Sequence, residues 1–295
     1  MPLVAAFAGA VAISFSAIFF ALADVEAVTG SFFRTGYALP VLLVLWWRHR
    51  RRDGRSHRAR ILAFAAGLML GADFTTWHLA IEHIGTGLAT LLVNTQVVIV
   101  AVLAWVIFGE RPSRVVAAAI PVVLAGVALV SGMGQDDAFG ADPLLGTVFA
   151  LSAAVFYALF LLAFRRSNRV QAPAVGSLLD ATAGAFVTSI LAAPLLGGLE
   201  LTLAWPTHGW LVALALGSQV FGWLAIGYAL PRLPAAETST FILLQPVLTM
   251  IWGALVFSEQ PSPVQLLGAT LVLGGVGLVA TISARRRPIP AEASP

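Results

Sequence analysis

Ten stretches of about twenty mostly apolar residues run along the chain, at approximately 3–23, 28–47, 61–80, 85–108, 112–131, 143–164, 173–196, 207–230, 234–257 and 262–283. A bilayer-spanning helix needs about 20 such residues. Runs of this length in lipid are helices, because a helix satisfies its own backbone polar groups. The joints between them are short and carry breakers or charges, as in Gly109-Glu110-Arg111-Pro112 and Glu259-Gln260-Pro261. Composition agrees: 59% of the 295 residues are hydrophobic and 11% charged, where a soluble domain carries about 25% charged residues. A soluble enzyme, a nucleic-acid binder and a secreted disulfide scaffold are excluded as first readings. With no Cys there is no thiolate metal site and no thiol chemistry. The expected fold class is an all-α polytopic membrane protein with ten transmembrane helices.

The basic residues orient it. All 17 positive charges are Arg, and 16 of them lie on alternate joints: seven between spans 2 and 3, two after span 4, three after span 6, one after span 8 and three in the tail. The remaining one, Arg34, sits inside span 2. The opposite joints hold Asp24, Glu26, Glu82, Asp136, Asp137, Asp142, Glu200 and Glu259 and no Arg. Cytoplasmic loops collect Arg and Lys, so both termini are expected in the cytoplasm of a bacterial-type inner membrane. The Arg clusters are expected to meet lipid headgroups and not nucleic acid. Ala21-Leu22-Ala23 looks like a signal-peptidase site, but no basic residue precedes position 34, and span 1 is expected to be retained.

The second half repeats the first. A shift of 149 residues puts Gln96 on Gln245, Phe108 on Phe257, Glu110 on Glu259, Pro112 on Pro261 and Gly126 on Gly275. With another offset, Ala17-Ile18-Phe19-Phe20-Ala21-Leu22 lies over Ala154-Val155-Phe156-Tyr157-Ala158-Leu159. Five spans per half, an odd number, force the halves into opposite orientations. Expected boundaries are 1–134 and 135–284 for the two repeats and 285–295 for a cytoplasmic tail. Inverted repeats are a recurring plan of secondary transporters, with the substrate near the midplane where the halves meet.

Phe32-Phe33-Arg34 with the Ala/Leu run after it, and the paired stretches Phe108-Gly109-Glu110-Arg111-Pro112 and Phe257-Ser258-Glu259-Gln260-Pro261 with their Gly-rich following helices, resemble the drug/metabolite transporter superfamily, EamA branch. The resemblance covers essentially the whole chain. It implies ten helices in two inverted five-helix repeats and export of small metabolites. Within the family the chain is similar to the YddG-type exporters of aromatic and other neutral amino acids. No cofactor and no metal is expected.

Polar groups inside spans cost about 2.5–3.5 kcal/mol at a helix centre, so they face a cavity or a partner. Arg34 and Asp73 lie at matching depths, roughly 8–10 Å below the acidic end, and the leading expectation is a neutralising pair. Asp180 lies near the inner end of span 7, within reach of the cytoplasmic Arg residues, and is given no site role. Candidate substrate-binding residues are Trp77 and His78 in span 3, Asn94 and Gln96 in span 4, Gln219 and Trp223 in span 8, and Gln245 beside Pro246 in span 9. Phe15, Phe19 and Tyr157 in spans 1 and 6 are expected to line an aromatic wall, since ligand pockets are mostly apolar with few polar anchors. Glu110 and Glu259 are read as structural, each near a Pro-initiated helix whose positive end favours a carboxylate.

The expected partner is a small neutral amphiphile, most plausibly an amino acid, within the bilayer. Phosphorylated solutes would want cavity Arg or Lys, and the spans hold a single Arg. An intramembrane enzyme lacks any Gly-x-Ser-x-Gly, His-Glu-x-x-His or phosphate-loop motif. An aspartyl dyad fails because Asp73 and Asp180 lie at opposite depths. A passive channel is the other competitor, separated from a carrier by saturable counterflow. Proton coupling would use His78 or Asp73; a uniport needs neither.

Overall fold

The computed structural model of the chain describes residues 1–109, 112–167, 174–229, 232–233 and 235–285. Among these the regular structure is entirely helical: α1 (Pro2–Ser14), α2 (Ser16–Ala23), α3 (Ala27–His49), α4 (His57–Val93), α5 (Gln96–Phe108), α6 (Arg114–Val130), α7 (Pro143–Ser167), α8 (Ala174–Ala192), α9 (Thr207–Ala213), a π-helix (Leu214–Gly222), α10 (Trp223–Ala229), α11 (Ala235–Phe257) and α12 (Pro263–Arg285). Local chemistry sets several ends. Pro2, Pro143 and Pro263 stand in first turns, where proline's missing amide costs nothing. The Ser56 and Ser113 hydroxyls accept from the amides of Ala59 and Val116 and cap α4 and α6.

Seven helical segments among the described residues are long and apolar enough to cross a membrane, and Gln96–Ile107, Arg114–Val130 and Leu243–Phe257 are apolar but shorter. The chain is a multi-pass membrane protein. Part of the difference from ten has a local cause. The 37 residues of α4 hold one predicted segment and the first part of the next, joined at Gly85, whose backbone (φ 77, ψ 173) is not helical, and α5 carries the rest of that second segment. Large apolar side chains such as Val106, Leu124 and Leu255 stand exposed on the outside of the bundle, as lipid contact requires and water would not favour.

Backbones approach closely where glycine allows it. Any Cβ on Gly67 would meet the backbone of Ala181, and one on Gly184 would meet Phe64 and Gly67, so α4 and α8 pack nearly backbone to backbone. On the other flank α6 and α12 cross at Gly126 and Gly268, where a methyl on either would lie 2.7 or 2.6 Å from the other's carbonyl oxygen. Gly275 faces Val123 and Ala119 in the same interface. Contacts that climb one helix while descending the other make the pair antiparallel.

Joints gather by charge. The Glu259 carboxylate accepts from the Thr86 amide and hydroxyl and from the Gly87 amide at 3.0 Å, closing the first turn of the second arm of α4. It fits because Gly85, Gly87 and Gly253 surround it without side chains. Nearby, the Asp142 amide donates to the His83 carbonyl, and the Glu200 amide donates to the Thr29 hydroxyl at 3.1 Å. Acidic joints therefore share one end of the bundle. The 23 residues of α3 then carry the chain about 34 Å to the Arg-rich end.

At that end the joint after α3 folds back onto α8. Arg55, buried, chelates Asp53 through Nε (2.8 Å) and Nη2 (2.9 Å), and its Nη1 meets Asp180 at 2.9 Å. Arg60 reaches Asp180 at 3.6 Å, and the Trp46 indole donates to Asp53 at 2.7 Å. Gly176 gives the Arg55 guanidinium its seat, since a Cβ there would lie 2.5 Å from Nη2. The hydrogen bonds from Arg55 hold the Asp53 carboxyl down at a pKa of about 2. A folded-state pKa below the ordinary value of 3.8 contributes stability above about pH 4 that is lost as pH falls toward 2. Asp53→Asn is expected to lower stability at pH 7 by about 1–3 kcal/mol and to flatten the stability loss between pH 4 and 2. Thermal unfolding in detergent across that range checks both.

Candidate functional site

Besides the turn at Gly85, helical regularity fails at three places along the described bundle. Span 1 breaks at Phe15, between α1 and α2; α4 ends at Val93 and α5 begins at Gln96; and Leu214–Gly222 winds as a π-helix. Pro246 lies inside α11, where it removes one backbone donor. Such interruptions loosen backbone hydrogen bonding within apolar helices, and π segments are frequent at functional sites.

The π-helix carries Gln219, and Gln219 meets Arg34. The Arg34 Nε donates to Gln219 Oε1 at 3.1 Å, and Gln219 Nε2 donates to the Thr182 hydroxyl at 3.1 Å. The guanidinium lies over the Phe74 ring, 3.6 Å from its centroid, with the Trp77 ring at 5.6 Å. Arg34, Gln219, Asp73 and Trp77 are all buried. The expected Arg34–Asp73 ion pair does not form: no N···O approach within 4.0 Å joins them. The two are still neighbours, since the ring under the guanidinium is Phe74, the residue after Asp73, and Tyr157 and Trp223 pack against the cluster that contains it. Gln219 takes the Nε that the pair would have used, which the sequence hides because the partners stand 185 residues apart.

Tyr157 stacks on Phe160 at 5.8 Å and meets the half-buried Trp223 edge-on at 6.4 Å. His78 sits behind Trp77, wholly buried and stacked on Phe20 at 3.9 Å. Its Nδ1 lies 3.1 Å from the Ala27 carbonyl and 2.9 Å from the Ser31 hydroxyl. A carbonyl only accepts, so the proton belongs on Nδ1 and Nε2 keeps a bare lone pair.

Phe15 and Phe19 form a second group. Trp252, Phe15, Phe19 and Trp210 stack in series with centroid spacings of 4.8, 5.7 and 6.2 Å, each ring partly accessible. Trp252 is anchored by its indole on the Ser14 hydroxyl. Trp210 and Trp252 were not foreseen; the sequence shows them only as two tryptophans among eight. Asn94, Gln96 and Gln245 are not brought to Arg34 by any hydrogen bond. Asn94 donates to the Thr90 carbonyl beside the break it occupies, and the Gln245 carbonyl accepts from Thr249. Glu259 caps a helix end, but that of α4 and not of the Pro-initiated helix after it. Its repeat mate Glu110 lies outside the described residues. Asp180 reaches Arg55 and Arg60, as its position predicts.

Membrane-length helices enclosing a small charged and aromatic interior define a multi-pass membrane protein of the transporter class. The EamA-like transporter family model matches residues 1–132 and 144–281, and the chain belongs to that family. It is 24% identical over 246 residues to the threonine/homoserine exporter RhtA of Escherichia coli K12, covering 82% of this chain and 78% of that protein. The RhtA of Salmonella typhimurium LT2 is likewise 24% identical over 251 residues, covering 84% and 79%. An uncharacterized transporter of Bacillus subtilis, YwfM, is 23% identical over 236 residues, covering 79% and 77%. A protein of known crystal structure shares the fold at TM-score 0.60 and 18% identity, over 97% of this chain and 98% of the other.

Replacing Gln219 by Leu keeps the side chain's bulk but leaves Arg34 Nε buried without its acceptor. A loss of about 1.5–3 kcal/mol is expected, as for other hydrogen bonds to a charged group. Unfolding of the purified variant in graded denaturant measures it.

Proposed function

We propose that this chain is an inner-membrane carrier that exports small neutral amino acids by alternating access between two inverted five-helix repeats, residues 1–134 and 135–284, with residues 285–295 as a cytoplasmic tail. In this reading α4 turns at Gly85 and its second arm continues through α5 as one span, α6 and α11 supply two more to complete a set of ten, and both termini are cytoplasmic. The distribution of Arg between joints supports that orientation.

Contacts support the two-fold relation. A shift of 149 residues turns the Gly126–Gly268 approach into the Gly275–Ala119 approach, and both are present. A shift of 147 carries Asp53 onto Glu200 and Thr29 onto Gly176, and Asp53 lies at Gly176 as Glu200 lies at Thr29. Two similar halves in opposite orientation can exchange roles, which is what a carrier needs and an enzyme does not.

The observation that carries the substrate assignment is the interior itself: one Arg and one Asp, buried and unpaired with each other, walled by Phe74, Trp77, Tyr157 and Trp223. Amino acids match that balance of charges better than phosphorylated solutes, which would call for more cations. Similarity to threonine/homoserine exporters supports hydroxylated neutral amino acids, and the stacked Trp252–Phe15–Phe19–Trp210 series supports aromatic ones as a second reading.

Counterflow decides it. Proteoliposomes preloaded with unlabelled neutral amino acids should take up labelled threonine or phenylalanine in a saturable exchange without an imposed gradient. Absence of exchange across the neutral amino acids would overturn the assignment, and non-saturable flux would favour a channel.

Coupling is proposed to be absent, with transport driven by the substrate gradient. His78 is enclosed by Phe20, Trp77, Ser31 and the Ala27 carbonyl, which fits a packing role. An imposed pH gradient should leave export unchanged, and His78→Gln should keep the wild-type pH profile. Acceleration by the gradient would overturn the uncoupled reading, and its loss in His78→Gln would assign proton antiport to this residue.

A further inference from the structure

Four buried polar atoms near the middle of the cluster have no hydrogen-bond partner among the described residues: Arg34 Nη1, Trp77 Nε1, Asp73 Oδ1 and His78 Nε2. The first two are donors; the third is a carboxyl oxygen and an acceptor, and the fourth is an acceptor in the tautomer that the Ala27 carbonyl imposes. Buried polar atoms are ordinarily satisfied, and buried opposite charges ordinarily pair directly. Here the pair is held open. Arg34 is held by Gln219 at Nε and lies over the Phe74 ring, and none of its nitrogens comes within 4.0 Å of an Asp73 oxygen. Asp73 and Trp77 stand four residues apart on α4, on one face of the helix.

We infer that Arg34 and Asp73 form the two poles of a zwitterion site, in which the α-carboxylate of an amino acid binds Arg34 Nη1 and Trp77 Nε1 while its ammonium group binds Asp73 Oδ1. This inference rests on the amino-acid reading above and narrows it: both charged groups of the substrate are recognised, and the side chain is left to the aromatic wall of Tyr157, Phe160 and Trp223. A guanidinium and an indole N–H provide donors for a carboxylate, and a carboxylate receives an ammonium by a charge-assisted hydrogen bond.

The site also accounts for why the open charges do not collapse onto each other. Gln219 and Phe74 hold the cation, α4 holds the anion, and a zwitterion between them satisfies both poles at once. An uncharged amphiphile would leave Arg34 Nη1 and Asp73 Oδ1 buried without partners. Discrimination then comes from the polar groups that a wrong ligand leaves unmatched, which is a stronger filter than an apolar pocket provides.

Equilibrium binding to the purified, full-length protein in detergent tests this, read by calorimetry. The probes are threonine and phenylalanine, the amine-only analogues threoninol and phenethylamine, and the carboxylate-only analogues 2,3-dihydroxybutyrate and 3-phenylpropionate. At least one zwitterion should bind, and both of its single-pole analogues should bind about 10- to 100-fold more weakly, the range expected for loss of a hydrogen bond to a charged group. Arg34→Gln should weaken the zwitterion while leaving the amine-only analogue unchanged, and Asp73→Asn should weaken the zwitterion while leaving the carboxylate-only analogue unchanged. The analogue series needs no substitution, so a variant that fails to fold does not remove the test. Single-pole analogues binding within about threefold of the parent amino acid, or no zwitterion binding at all, would overturn the site. Counterflow keeps the two claims apart. Zwitterion binding without exchange sinks the exporter and keeps the site, whereas exchange with undiscriminating binding sinks the site and keeps the exporter.

Discussion

A guanidinium buried among apolar helices is the constraint around which the interior is arranged. Removing a charge from water is tolerated only when hydrogen bonds and neighbouring groups replace its hydration. Around Arg34 those groups come from three elements. Gln219 supplies an acceptor from the π-helix, Phe74 supplies a ring face from α4, and Thr182 of α8 holds Gln219 by accepting from it. The π-helix is part of this arrangement, because widening the turn shifts which residues of Leu214–Gly222 face inward. It presents Gln219 to α3 while Ser218 turns to the Ala12 carbonyl of α1. A regular α-helix there would rotate the residues that follow by part of a turn.

The same economy governs the helix ends. In lipid a free amide at a helix start is costly, and Glu259 answers three donors of Thr86 and Gly87 with one carboxylate. It gets there because the surrounding residues are Gly85, Gly87 and Gly253. Gly85 has a second function: at φ 77 it turns the chain between the two arms of α4. Charge, glycine and turn act as one device, and it joins the segment before α12 to the middle of the first half.

Much of this architecture was legible in the apolar runs and the Arg distribution, since both report directly on solvent. Asp180 and its Arg partners were legible for the same reason, because a charge near a helix end seeks the charges beyond it. Other features were not. The breaks at Phe15 and at Asn94–Thr95 carry no Gly or Pro to mark them, so the sequence reads through them as continuous helix. Glu259 points to a helix N-terminus by its chemistry, but sequence offers the helix that follows and cannot show the one across the bundle. A clue was present in Gly85-Thr86-Gly87, a helix start flanked by small residues with no acidic cap of its own. Arg34 and Asp73 were matched in depth, yet depth alone does not set the angular position on each helix. That position gave Gln219 the contact.

The two ends of the bundle solve one topological problem with different chemistry. At each end a joint of one half lies against the first turn of a helix in the other half. At the Arg-rich end the contact is ionic, with Arg55 between Asp53 and Asp180. At the acidic end it is neutral: Thr29 accepts from the Glu200 amide, while His208 lies 2.6 Å from the Tyr37 hydroxyl and 3.1 Å from the Thr202 carbonyl. A charge bias between joints makes equal contacts impossible at the two ends. The Arg-rich joint has excess cations to bury and draws Asp53 and Asp180 to them. The other joint has no Arg, so carboxylates there find backbone amides and leave side-chain contacts to Thr, Tyr and His. Similar packing of joint against helix is therefore compatible with opposite charge at the two ends.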